Sequence, residues 1–353
     1  MNIAIFGLSI SSSWGNGHAT IWRGLVRALL DKKHKVTFFE KNVPYYEQNR
    51  DFWGMEGLNL VIYNSWSQIE MSAASILNTI DVSIITSYCP DALAASDLVL
   101  CREVPISIFY DLDAAVTIDA VERGEKPFFI GKRLLRDFDM VFSYTGGETI
   151  EKMQKLLAAK EVFPLYGCVD PLSHCPVSVS KNYKSDLSYL GTFASDRQEK
   201  LNRLFVNTAK RVPNQKFLLG GAQYPDGIQW NDNIFFIPHV PPTEHSSFYC
   251  SSKFTLNITR HAMAKMGFCP SGRIFEAAAC GVPVISDEWE GIEQFFTPEE
   301  EIIIARDTQD VIEYLQMPES DRLAIASRAY FRVIKEHTAA KRIEQFEKIV
   351  REF

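Results

Sequence analysis

Charged side chains gather where the second half of the chain passes from apolar runs into helical ones. Arg197 ends the stretch Gly191-Thr192-Phe193-Ala194-Ser195-Asp196-Arg197, Asn257 and Arg260 close another apolar run, and Arg273 and Glu276 lie three apart within 271–286, Ser-Gly-Arg-Ile-Phe-Glu-Ala-Ala-Ala-Cys-Gly-Val-Pro-Val-Ile-Ser. Arginine suits two-point contact with phosphate, and three guanidiniums at strand ends would give an anion somewhere to sit. Arg273 and Glu276 share one edge of a short helix whose other residues are small or apolar. A carboxylate beside a guanidinium suits a ligand that carries both hydroxyls and phosphates. The plainer reading is a first-turn carboxylate favoured by the helix dipole and paired with its own Arg273. In His239-Val240-Pro241-Pro242 a strand ends in a rigid turn, where the backbone of His239 and Val240 can read a base edge, although prolines also simply end strands.

The first half offers different chemistry. The loop Ser11–His18 contains Gly15-Asn16-Gly17-His18 between an apolar run and a helical one, so bare backbone N–H groups of Gly15, Asn16 and Gly17 can approach an anion or a sugar. It is no dinucleotide fingerprint, because Thr20 stands where the third glycine belongs; Glu40, at the end of the next run, is then a decoy. As an imidazole, His18 can deprotonate a hydroxyl or hold a phosphate; a plain helix-start histidine is the alternative. Asp111 and Asp113, in Tyr-Asp-Leu-Asp-Ala, follow an apolar run. Extended backbone would turn both carboxylates to one side, for a cation, a general base or sugar hydroxyls, whereas two loop carboxylates capping the next helix would need no ligand. The tryptophans form no stripe, and Lys152 and Lys155 read as solvent-facing.

Composition narrows the classes. A chain of 353 residues implies two domains, 46% hydrophobic content is ample for their cores, and a formal charge of −7 argues against a surface that neutralises nucleic-acid phosphates. Seven scattered cysteines without a Cys-x-x-Cys spacing indicate neither a zinc site nor a disulfide framework. No leader pattern, no membrane span and a reducing, cytoplasmic setting are expected.

The elements that must position these groups alternate. Strands are expected at Asn2–Phe6, Val36–Glu40, Asn59–Tyr63, Val82–Thr86, Ile106–Tyr110, Met140–Tyr144 and Glu161–Leu165, with helices between most of them. The segment 166–185, with its prolines and serines, reads as a linker. Alternation resumes with strands at Leu187–Leu190, Lys216–Gly220, Ile234–Ile237, Phe254–Ile258, Val282–Ser286 and Glu301–Ala305, and a helix at Gln198–Arg211; helical patterns close the chain. The fold class is α/β: two doubly wound, Rossmann-like domains, 1–170 and 171–337, with a last helix at 338–353 and the carboxyl ends of both sheets around one cleft.

On these motifs the chain resembles glycosyltransferases of the GT-B fold. Arg-x-x-Glu-x-x-Ala-Cys-Gly-x-Pro-Val-Ile-Ser-Asp is similar to their donor-binding signature. Ser-Trp-Gly-Asn-Gly-His-Ala-Thr at 13–20, Phe-Tyr-Asp-Leu-Asp at 109–113, Tyr-Leu-Gly-Thr-Phe at 189–193, Leu-Asn-Ile-Thr-Arg at 256–260 and Glu-Trp-Glu-Gly at 288–291 resemble the CgeB-like, spore-maturation branch. The resemblance implies a hexosyltransferase using a nucleotide diphosphate sugar, UDP-sugar favoured, without cofactor or metal. Glu276 would hold the ribose hydroxyls, and Arg197, Arg260 and Arg273 the diphosphate. Ser271, Gly191, Asn257, His239 and Val240 complete the donor side, with Gly15, Asn16, Gly17 and Glu290 on the acceptor or phosphate side. Catalysis would fall to His18, Asp111 and Asp113. The acceptor, a carbohydrate, small molecule or protein, is open. The last helix would cross back to the first domain. One departure stands out: retaining relatives carry Glu-x7-Glu, whose first Glu contacts the transferred sugar, and Phe268 occupies that position, eight residues before Glu276. This leaves the sugar and the retaining or inverting outcome open. Rival readings are a nucleotide-sugar epimerase on the same fold and a catalytically idle spore-coat or surface assembly protein.

Overall fold

The computed structural model describes every residue except Glu103 and Gln229. Among the described residues thirteen apolar runs form strands: β1 Asn2–Gly7, β2 Lys35–Lys41, β3 Leu58–Tyr63, β4 Val82–Thr86, β5 Ile106–Asp111, β6 Met140–Ser143, β7 Val162–Pro164, β8 Ser185–Leu190, β9 Phe217–Gly220, β10 Ile234–Ile237, β11 Ser252–Asn257, β12 Val284–Ser286 and β13 Ile303–Ile304. They divide between two units, Met1–Tyr166 with Ala339–Phe353, and Gly167–Thr338. None of the described helices is long and apolar enough to cross a membrane.

The first unit holds a seven-stranded sheet in the order β3-β2-β1-β4-β5-β6-β7, every pair parallel. Strands buried on both faces read as continuous apolar runs because helices cover both sides; β4 is buried at all five positions. The order reverses beside β1, whose neighbours are β2 and β4. The loop carrying His18 therefore leaves the sheet at its topological switch point, where parallel sheets bind ligands. Helix Ala339–Glu352 belongs to this unit. Its Ile343, Phe346 and Val350 are buried, the Phe346 ring lies 5.7 Å from that of Phe142, and Glu347 accepts from Lys32 Nζ at 2.9 Å and faces His34 Nε2 at 2.8 Å.

The second unit holds a six-stranded sheet, β10-β9-β8-β11-β12-β13, also parallel throughout. Its switch point lies between β8 and β11. Leu187, Tyr189, Phe217, Phe254, Leu256 and Ile285 form the centre of its core. The helical stretch expected at 198–211 is continuous, with a π-type turn over Asn202–Val206.

The segment 166–185 is no loose spacer. Several of its amides are satisfied by helix His245–Cys250 and the residue after it. Cys175 N donates to Ser246 Oγ at 3.2 Å, Ser180 N to Ser251 Oγ at 2.8 Å, and Ser185 N to Ser251 O at 3.0 Å. Prolines limit its backbone freedom, and the helix's serines supply the acceptors that a linker would have sought from water.

Candidate functional site

The switch point of the second unit carries the arginine cluster. Arg273, in the first turn of helix Gly272–Ala279, reaches across both strand ends: its Nε donates to Leu190 O at the end of β8, and its Nη1 to Asn257 Oδ1 at the end of β11, 2.7 Å away. Asn257 is fully buried and held in turn by Ser286 Oγ at 3.0 Å, so its part is to orient Arg273. Gly191 is glycine for a reason of space, since a Cβ there would stand 2.9 Å from Arg273 Nη2 and 2.8 Å from Tyr189 Oη. Arg197 donates to Thr192 O and is 8% exposed. Both guanidiniums face the Tyr189 ring, at 5.2 Å for Arg273 and 5.9 Å for Arg197. The Tyr189 hydroxyl is buried without a hydrogen-bond partner.

Among the described residues, neither Arg197 nor Arg273 has a carboxylate partner. Burial pushes the Arg197 guanidinium down from its ordinary value, and the neighbouring charges of Arg273 and Arg260 add to this. Arg260 is the compensated member, its Nε 3.2 Å from Asp196 Oδ2. Buried charge without a counter-charge is costly, and an anionic ligand removes that cost. Tyr189 was absent from the sequence-based set because tyrosine in an apolar run reads as core; its flanking Gly191 was the available signal.

Glu276 makes no ion pair with Arg273, so the self-paired helix reading does not hold. Its Oε2 accepts from Tyr249 Oη at 3.1 Å. Burial works against its charge, but His174, His245, Arg273 and the Tyr249 hydroxyl outweigh burial and hold the carboxyl below its ordinary value. His245 is itself pushed down to about 4 by burial, and Arg273 adds a permanent positive charge that favours the carboxylate. His174 and His245 were not foreseen, since a lone histidine in a proline-rich segment gives no signal before folding brings it to its partner.

Other residues take structural parts. The Val240 carbonyl already faces His245 Nε2 at 3.1 Å. His239 and Ser271 are half-buried, and Ser271 precedes the helix without a side-chain cap. The exposed Glu290 accepts at its carbonyl from Phe268 N at 2.6 Å. Phe268 adopts φ 44°, and this turn occupies the place where retaining relatives would carry their first Glu.

In the first unit, the loop after β1 is built on Glu40. This fully buried carboxylate accepts from Ser9 Oγ at 2.9 Å, Ile10 N at 2.8 Å, Ser11 N at 2.9 Å and Ser11 Oγ at 2.5 Å. Asn16 is equally committed: its amide donates to Ser9 O and Ser12 O, both at 3.0 Å, and its Oδ1 caps His18 N at 3.1 Å. It holds the loop rather than presenting an amide to a ligand. Gly15 takes φ 59°, and Gly17 opens helix Gly17–Asp31 with open space where a Cβ would stand.

His18 Nε2 lies 2.6 Å from Asp113 Oδ2, and its Nδ1 is buried without a partner. Asp111 and Asp113 do not share a side. The backbone turns at Leu112, Asp113 precedes helix Ala114–Glu122, and Asp111 is fully buried with Oδ1 accepting Asp113 N at 3.0 Å. Burial, then the Asp113 charge, raises the Asp111 carboxyl to about 6. Lys152, expected to face solvent, instead bridges Glu122 and Glu148 at 2.9 and 3.2 Å.

Two parallel switch-point sheets in one chain recur in known structures. Sucrose-phosphate synthase from Thermosynechococcus elongatus superposes with a TM-score of 0.72 at 13% identity, covering 99% of this chain and 98% of that one. An alpha-glucosyltransferase in complex with UDP gives 0.70 at 12% identity with 99% of each chain covered. The fold is GT-B. Anabaena HepE in complex with UDP-glucose shares it as well, with a TM-score of 0.69, 10% identity and full coverage of both chains. Within the GT-B frame, residues 197–348 match the family model described as glycosyl transferase-like, a stretch that contains Arg197, Arg260, Arg273 and Glu276. No curated protein matches the chain in sequence.

Proposed function

We propose that the protein is a glycosyltransferase that moves a hexose from a nucleotide diphosphate sugar, a UDP-sugar by preference, to a hydroxyl-bearing acceptor. The observation that carries this reading is the pair at a switch point, the buried Arg197 and the half-buried Arg273, neither of them in an ion pair with a carboxylate among the described residues. Negative charge grows on the leaving diphosphate in the transition state, and guanidiniums already fixed by Thr192, Leu190 and Asn257 stabilise it without reorganising; no divalent cation is needed for that task. Glu276 accepts from the two ribose hydroxyls. UDP and UDP-glucose in the structural neighbours support this choice of donor, and the motifs at 13–20, 109–113 and 256–260 support the CgeB-like branch.

His18 serves as base toward the acceptor. Asp113 engages Nε2 and so fixes the tautomer whose lone pair is on Nδ1; that nitrogen is buried in this structure, so acceptor binding has to uncover it. The test is a thermal-shift series with UDP-, GDP-, TDP- and ADP-sugars, where ligand at a hundredfold its Kd adds about 2.7 kcal/mol of stability. UDP-sugars should give the largest shift and Glu276→Ala should abolish it. An unchanged shift in that variant would sink the donor assignment.

A further inference from the structure

His174, from the pinned segment, His245, opening helix His245–Cys250, and Glu276 each bring one nitrogen or carboxylate oxygen to within 4.8 Å of the others. We propose that this trio is a zinc site, which adds two histidines that sugar transfer does not use to the Glu276 carboxylate of the donor site.

The two nitrogens stand at the spacing of ligands on a tetrahedral ion, and the Glu276 oxygen lies within 4.8 Å of them. His174 Nε2 and His245 Nδ1 are 3.2 Å apart, and ligands about 2.0–2.1 Å from zinc stand roughly 3.3 Å from one another. The other nitrogen of His245 faces Val240 O at 3.1 Å. That contact puts the proton on Nε2 and the lone pair on Nδ1, and an outer carbonyl of this kind is what orients ligating histidines. Glu276 is held by the Tyr249 hydroxyl, while Arg273 directs its donors to Leu190 and Asn257 and forms no ion pair with it. Two imidazoles and one carboxylate leave a fourth position open, and imidazole selects zinc over magnesium or calcium. His174 is buried, whereas His245 and Glu276 keep partial solvent access. The consequence for catalysis rests on the donor reading: zinc on Glu276 takes the carboxylate that the ribose requires, so zinc and the donor exclude one another.

Zinc chloride titrated calorimetrically into the EDTA-treated full chain should bind once per chain, with His174→Gln and His245→Gln each weakening it at least tenfold and magnesium chloride giving no heat. Cys175→Ser, beside the trio but outside it, should keep zinc affinity. Zinc-edge X-ray absorption on the loaded wild-type chain needs no variant and should show two imidazoles; sulfur ligands there overturn the site. Equal zinc binding by wild type and the double histidine variant overturns it too. UDP should bind the zinc-loaded chain at least fivefold more weakly than the zinc-free chain, and equal affinity refutes the shared carboxylate. Failure of UDP to bind the zinc-free chain counts against the donor reading alone, because the zinc stoichiometry does not depend on it.

Discussion

The two switch points solve opposite problems with charge. After β1 the buried Glu40 is met by two backbone amides and two hydroxyls of its own loop. After β8 and β11 the half-buried Arg273 and the buried Arg197 are met by carbonyls, an amide oxygen and the face of Tyr189, with no carboxylate. Saturated charge fixes a loop, and charge left unmatched marks where a ligand completes the site. A buried ionic group is thus informative less by its presence than by what its neighbours leave undone.

The largest effect expected from this contrast is at Glu40. Glu40→Ala strands the Ile10 and Ser11 amides in a dry interior and opens a cavity, and should destabilise the chain by about 3 kcal/mol or more. Urea unfolding measures the loss, and hydrogen exchange should show it first at those two amides. A loss below about 1 kcal/mol would mean that water replaces the carboxylate and that the loop is not built on it.

Arg197→Met is the converse experiment. It removes a buried cation that no carboxylate compensates, so stability should hold or rise by about 1 kcal/mol while affinity for UDP falls about 10- to 100-fold. Calorimetry and thermal melts on the same samples give both numbers. Destabilisation on the scale of Glu40→Ala, with UDP affinity kept, would make Arg197 a scaffold residue and erase the contrast.

Much of this was legible beforehand, and the exceptions share a cause. The apolar runs located each of the described strands, most plainly the central ones that are buried on both faces; the edge strands β3 and β10 are partly exposed. Arg273, Arg260 and Arg197 were visible as charges at strand ends. What could not be read was the partner of each group. Extended backbone was expected to turn Asp111 and Asp113 to one side, but the turn at Leu112 separates them. Glu40 read as a decoy beside a missing dinucleotide fingerprint and is the post of the β1 loop. The prolines at 171 and 176 suggested a spacer, yet the acceptors at Ser246 and Ser251 lie some seventy residues on. Periodicity records burial; hydrogen-bond partners distant in sequence leave no period.

Asp111 lies between the two extremes and gives the smallest effect. One of its oxygens accepts Asp113 N; among the described residues the other makes no well-formed hydrogen bond, although the Thr117 and Ser87 hydroxyls lie close enough to favour its charge. Its pKa rises from 3.8 to about 6 in the folded chain. A carboxyl whose folded value is raised contributes stability that is complete below its unfolded pKa and is lost as pH climbs through the folded one, so at pH 8 the ionised group costs at most about 3 kcal/mol. Asn keeps the oxygen that accepts from Asp113 and carries no charge, but buries an unsatisfied amide N–H at a cost of about 1–2 kcal/mol. Asp111→Asn should therefore stabilise the chain by about 1–2 kcal/mol at pH 8 and destabilise it by about 1 kcal/mol near pH 4. Urea unfolding at the two pH values reads the change of sign. The same displacement at both would show that water reaches the second oxygen, which would place Asp111 with Glu40, among the charges that the fold has already answered.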